Sequence, residues 1–186
     1  DDGLQHLALR RDLEVAVVDA RRGLGNGALL PAGPLREPAK RLAGVALVLL
    51  NGEGPARGVP DPARARAIRF QLELGEAAAL AGGARRPLGD FAAGPVHAVA
   101  GIGDPQRFFT ALAAVGIDPV EHAFPDHHAF VRTDLEFGDA RPVLMTQKDA
   151  VKCEAFADGR LWSVPAEAVF AAADAERIME RITQLL

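Results

Sequence analysis

Three apolar runs constrain this chain more than anything else in it: Glu14 to Ala20 (EVAVVDA), Val45 to Asn51 (VALVLLN) and Pro95 to Ile102 (PVHAVAGI). They have strand length and are rich in Val, Leu and Ala, without the polar alternation of a half-exposed strand. Such runs belong to strands covered on both faces, the situation found in parallel sheets flanked by helices. The expected fold class is therefore α/β with a mostly parallel sheet.

With 186 residues, 49% of them hydrophobic, the chain holds one ordinary domain or two small ones. The formal net charge of -4 is unevenly spread: residues 1 to 86 carry 13 basic and 10 acidic side chains, residues 87 to 186 carry 8 and 15. The basic first half suits an anionic ligand or headgroup surface. Nucleic-acid binding is not expected, because a strong basic excess and aromatic interleaving are both missing. The lone Cys153 forbids an internal disulfide and reads as a small buried hydrophobe. The longest apolar run, Val45 to Leu50, has strand length and does not span a bilayer, so membrane contact is expected to be peripheral. With no initiating Met, and opening on Asp1-Asp2-Gly3 as if inside a motif, the chain reads as part of a longer one.

Two carboxylates followed by Gly suit the carboxyl end of a buried strand, the edge where open α/β sheets bind ligands. A pair there can hold Mg2+, although a plain polar turn has the same composition. Gly23 to Pro38 is a Gly/Pro-punctuated loop, too long for a tight connection and of a length that is functional or disordered. It is not a P-loop, since no Gly-Lys-Ser/Thr occurs anywhere in the chain. Ile68, Phe70, Leu72 and Leu74 alternate with polar residues, so a smaller, partly antiparallel element is expected to begin there. After the third apolar run, Asp104 is the expected N-cap of a helix with Pro105 at its first position and Phe108, Phe109, Leu112 and Val115 on its apolar face. Pro142 to Met145 is a short strand. Thr146-Gln147-Lys148-Asp149 then has the form of a capping box, with Lys148 and Lys152 on one helix face, available to a phosphate or to solvent. Leu161 to Pro165 makes a last strand and Asp174 to Leu186 a terminal helix with Ile178, Ile182 and Leu185 inward.

His122-Ala123-Phe124-Pro125-Asp126-His127-His128 gathers three of the five histidines beside a carboxylate. Pro125 breaks the preceding strand, leaving Asp126 and His127 beyond it. A histidine next to a carboxylate is equipped to move a proton near neutral pH. A solvated turn and a zinc site are the alternatives, the latter without the Cys-x-x-Cys or helical His spacing that zinc sites use.

Five stretches together resemble one family: Asp1-Asp2-Gly3-Leu4-Gln5-His6, Gly25-Asn26-Gly27 with Leu30 to Pro38, Gly101 to Phe109, Phe124 to His128, and Thr146 to Lys152. In order and spacing they look like the C-terminal portion of tetraacyldisaccharide 4'-kinase, the lipid A 4'-kinase of Gram-negative bacteria. The resemblance implies a P-loop NTPase-like sheet missing its P-loop half, with residues 1–66 the remainder of the kinase domain and 67–186 a smaller C-terminal α/β lobe. It implies transfer of the γ-phosphoryl of ATP to the 4'-hydroxyl of tetraacyldisaccharide 1-phosphate at the cytoplasmic face of the bacterial inner membrane. Asp1 and Asp2 match an Mg2+-holding acidic pair, Gln5 and His6 line the active site, Arg36 and Glu37 match nucleotide-side contacts, and His127, beside Asp126, matches a histidine supporting a catalytic aspartate in the missing half. Gln147 stands where the family commonly has Glu. Without the triphosphate grip this chain alone should not turn over ATP. The rival readings are a metal-dependent hydrolase built on His122, Asp126 and His127, and a non-catalytic anion-binding module.

Overall fold

The structure is a computed structural model that describes residues 3–6 and 8–184. Two compact units divide it, Asp1–Leu72 with Ala168–Leu186, and Glu73–Glu167. The expected division between residues 66 and 67 lies close to the first break, and the C-terminal segment returns to the first unit.

The first unit begins with strands β1 (Val15–Asp19) and β2 (Leu47–Asn51), then helix α1 (Asp61–Ala65) and strand β3 (Ile68–Leu74). The second contains β4 (Ala77–Ala79), β5 (Arg85–Arg86), β6 (Val96–Ala100), α2 (Pro105–Ala114), β7 (Pro119–Ala123), β8 (Val143–Thr146), α3 (Gln147–Cys153) and β9 (Leu161–Val164). The chain closes with β10 (Ala166–Phe170) and α4 (Ala172–Thr183). One sheet has the order β1-β2-β3-β10, the other β5-β4-β9-β8-β6-β7. Pairings β1–β2, β2–β3, β6–β7, β6–β8 and β8–β9 are parallel, and the short β4 pairs antiparallel with β5 and β9. The protein is thus α/β with mostly parallel sheets.

In the second unit every residue of β6 is buried, as its unbroken apolar run requires. Val96, Ala98 and Ala100 pack with Phe108, Phe109 and Leu112 of α2, whereas Val99 packs with Val143, Met145 and, from α3, Ala150 and Cys153. Because successive strand residues face opposite ways, α2 and α3 cover opposite faces of the sheet. The connection through α2 leads from β6 to β7, and that through α3 leads from β8 to β9, on the other side of the β6–β8 pair. Such a reversal opens a crevice at the carboxyl ends of the two central strands.

Five expectations need correction. β1 lies at the end of its sheet and alternates in burial, with Val15 40% and Val17 61% exposed, since no described element covers that face. β3 does alternate, but it extends the first sheet parallel to β2 instead of opening the second sheet. Asp104 makes no side-chain cap bond, and Val115 is exposed because α2 has already ended and the chain turns out at Gly116, φ 86°. β10 follows the strand expected to be last. Ile178 and Ile182 are only half-buried on α4, and Leu185 lies outside the described residues.

Candidate functional site

Three loops meet the carboxyl edge of the second unit's parallel strands. After β6 come Gly101 to Asp104, after β7 the Asp126–His127 turn, and after β8 the first turn of α3. Asp149, fully buried, ties two of them together. Its Oδ2 accepts the Gly101 N–H at 2.8 Å and the Thr146 hydroxyl at 2.7 Å, and its Oδ1 accepts Lys152 Nζ at 2.9 Å. Thr146 Oγ1 in return accepts the Asp149 N–H at 3.2 Å, so Thr146 caps α3 while Asp149 answers to its hydroxyl and not to its backbone N–H, completing only half of the expected capping box. Gly101 fits closely at this junction, where a Cβ would sit 3.2 Å from both Asp149 Oδ1 and Phe130 Cζ.

Asp126 and His127 do lie beyond the Pro125 break. His127 adopts a left-handed backbone, φ 63°, and its N–H donates to Asp126 Oδ1 at 3.0 Å, while its Nε2 stands 3.7 Å from Oδ2. Lys148 Nζ donates to the same Oδ1 at 2.9 Å. That hydrogen bond foremost, with the nearby His127, holds the Asp126 carboxyl below the usual carboxylate range. Both lysines of α3 therefore have carboxylate partners, Lys148 across the crevice and Lys152 within its own helix.

The other histidines of the run go elsewhere. His122 faces back along the sheet, its Nε2 2.9 Å from Nδ1 of His97, and His97 Nε2 lies 3.2 Å from Asp139 Oδ1. A carboxylate only accepts, so in the neutral pair His97 Nε2 carries the proton and its bare Nδ1 accepts from His122. Both rings stack on Phe137, at centroid distances of 4.2 and 4.0 Å. Burial foremost, then the neighbouring His97, pushes the His122 pKa down. His128 Nε2 lies 2.9 Å from Asp134 Oδ2, which also accepts the Val131 N–H. The proposed His122/Asp126/His127 hydrolase site is thus not assembled: strand pairing commits His122 to His97. No group of three His, Cys, Asp or Glu among the described residues is arranged to hold a metal ion. Sequence reading missed Asp139, Asp134 and the Asp149–Gly101 link. The one available signal was His97, an isolated polar residue inside a fully apolar strand.

In the first unit, Gln5 and Glu37 come together, Gln5 Nε2 donating to Glu37 Oε1 at 3.1 Å. Glu37 reaches Arg41 Nε at 3.3 Å, and Arg41 holds both oxygens of Glu14 at 2.7 Å. Arg11 donates to the carbonyls of Gly3 and His6, so the segment around His6 is fastened at the backbone while the His6 ring stays exposed. Arg36 is exposed as well. The long loop is ordered from within: Asn26 donates to Ala32 O at 2.9 Å and accepts from Ala28 N at 3.1 Å. Asp1 and Asp2, the expected metal ligands, lie outside the described residues.

The sequence pattern of the family described as LpxK, tetraacyldisaccharide-1-P 4'-kinase, matches residues 1–185. The chain belongs to this family. Among curated relatives of this kinase family, the tetraacyldisaccharide 4'-kinase of Azoarcus sp. (strain BH72) is 51% identical over 183 residues, 98% of this chain and 53% of that protein. That of Pseudomonas aeruginosa (strain LESB58) is 52% identical over 170 residues, 91% of this chain and 49% of that protein. The chain therefore spans about half the length of the curated relatives it matches. In fold it is similar to LpxK from Aquifex aeolicus, solved in complex with ATP, with a TM-score of 0.73 at 24% identity over 98% of this chain and 55% of that one. No described helix is long and apolar enough to cross a membrane.

Proposed function

We propose that this chain is the metal-binding and proton-handling part of an ATP-dependent lipid kinase, which phosphorylates the 4'-hydroxyl of a tetraacyldisaccharide 1-phosphate at the cytoplasmic face of the bacterial inner membrane, touching the membrane peripherally. The observation that carries the reading is the family match along residues 1–185. Residues 1–66 are the remainder of the kinase domain and 67–186 the smaller lobe.

In the transfer, the bond between the γ-phosphorus and its bridging oxygen breaks, a bond to the acceptor's 4'-oxygen forms, and the hydroxyl proton leaves to a base. Asp1 and Asp2, two hard carboxylates, would hold Mg2+, which would supply charge neutralisation at the phosphate oxygens. Gln5 and His6 line the active site and Arg36 and Glu37 contribute to the nucleotide side, the Gln5–Glu37 hydrogen bond fastening the segment after the acidic pair to the long loop. His127 supports the general base supplied by the remainder of the protein. Its exposed ring, oriented from the backbone by Asp126, is free to take up that contact. The chain alone carries no Gly-Lys-Ser/Thr to grip a triphosphate and is expected to be inactive by itself.

The test is phosphoryl transfer from labelled ATP to tetraacyldisaccharide 1-phosphate by the full-length protein. His127→Ala should lower kcat by about 10²- to 10⁴-fold, the usual contribution of a positioned proton-transfer group. Full-length protein without transfer, or an H127A variant with unchanged kcat, overturns the proposal.

A further inference from the structure

We infer that Lys148 is a positioning residue for His127, acting through the Asp126 carboxylate they share. The inference rests on the kinase reading only where activity is the readout.

The His127 side chain is 79% exposed, so packing does not orient it. Its backbone sits at φ 63°, a region that residues with a Cβ rarely occupy without a local hydrogen bond to hold them. Here that bond is the His127 N–H to Asp126 Oδ1, at 3.0 Å. Asp126 is itself 43% exposed and follows a proline, so its orientation needs an anchor too. Lys148 Nζ supplies one, at 2.9 Å from the same Oδ1.

The lysine is a fixed point because its helix is fixed. Asp149, the next residue, is fully buried and bonded to the end of β6 through Gly101 and to Thr146. Restraint thus passes from β6 through Asp149 and the first turn of α3 to Lys148, then to Asp126 and the left-handed His127. The spacing Lys148-Asp149 puts the outward cation and the buried anchor on adjacent residues, so they face different ways on the helix.

Charge adds a second effect. The groups in contact with Asp126 are Lys148, from α3, and His127, from its own turn. With its negative charge committed to the ammonium, Asp126 leaves the imidazole Nε2 at 3.7 Å, beyond hydrogen-bonding distance. Without Lys148 the carboxylate is left to turn to the ring and accept a hydrogen bond from it. Lys148 therefore holds the turn in shape and keeps its carboxylate from capturing the histidine.

An exposed ion pair contributes little to global stability. Positioning and scaffolding are thereby separable. In the full-length protein, Lys148→Met should lower kcat about 10- to 100-fold, as small misplacements of reacting groups do. The melting temperature should be unchanged. Lys148→Arg, which restores the charge, should recover most of the loss. A K148M variant with wild-type kcat, or one whose loss of kcat is matched by a loss of melting temperature, overturns the inference. If the wild-type full-length protein transfers no phosphate, the kinase reading fails while the inference is still read by ¹⁵N-histidine NMR. There K148M should shift the His127 ring signals, and unchanged signals would overturn it.

Discussion

Asp149→Ala should be the most damaging single change at the carboxyl edge of the second unit. The carboxylate is fully buried and accepts three hydrogen bonds, from Gly101 N–H, the Thr146 hydroxyl and Lys152 Nζ. Truncation leaves the buried Gly101 N–H without a partner, which costs about 1–3 kcal/mol. It also strips the half-buried Lys152 of its counter-charge, and breaking a buried pair in this way costs about 3–5 kcal/mol in all. Against a typical domain stability of about 5–15 kcal/mol, that loss removes much of the margin. Asp149→Asn keeps the shape and two of the acceptor contacts but points an uncharged group at Lys152, so it should cost roughly 1–3 kcal/mol, the value of a hydrogen bond to a charged group. Urea denaturation followed by Trp162 fluorescence is the assay. Trp162 is the single Trp of the chain, is buried in the core of the same unit, and meets Phe91 edge-on at a centroid distance of 5.2 Å. The midpoint should fall with the slope unchanged. A D149A midpoint within about 1 kcal/mol of wild type would refute the claim that this carboxylate ties β6 to α3.

Cys153 is fully buried, and burial foremost pushes its thiol up to about 11, so alkylation by iodoacetamide at pH 8 should be negligible until the chain unfolds; prompt labelling of the folded protein would contradict its placement. Stability should fall with acid in two stages. His122 has a lowered folded pKa, so the unfolded chain takes up that proton first and stability begins to decline below the ordinary imidazole value of 6.5. Asp126, Asp134 and Asp139 are held below the ordinary carboxylate value of 3.8, chiefly by Lys148, by the Val131 N–H and by the Arg141 N–H. Their contribution is complete above that value and is lost as the pH falls through the folded pKa values. Urea midpoints measured from pH 7 to 3 should trace both stages. His122→Gln should abolish only the first, and a flat profile from pH 7 to 5 in the unmodified chain would count against the His97–His122 contact.

Local chemistry was enough to find the strands of the parallel sheets, the Thr146 N-cap, the break at Pro125 and the order of motifs that identifies the family. Each depends on residues close together in the chain, through strand burial, backbone restriction or a short hydrogen bond. Partnership across the sheet was not legible. Period-two alternation says which residues share a face but not which strand lies alongside, so β3 was assigned to the wrong sheet and β1 to a fully covered position. For the same reason the seven residues from His122 to His128 read as one cluster. Strand order sends His122 to His97 and Asp139, the turn after Pro125 sends His127 outward, and His128 goes to Asp134. Lys148, open in the sequence to a phosphate or to solvent, is carried to Asp126 by α3, which a buried aspartate fastens to β6. Side-chain pairs separated by tens of residues are set by crossovers and helix packing, and those are properties of the folded whole.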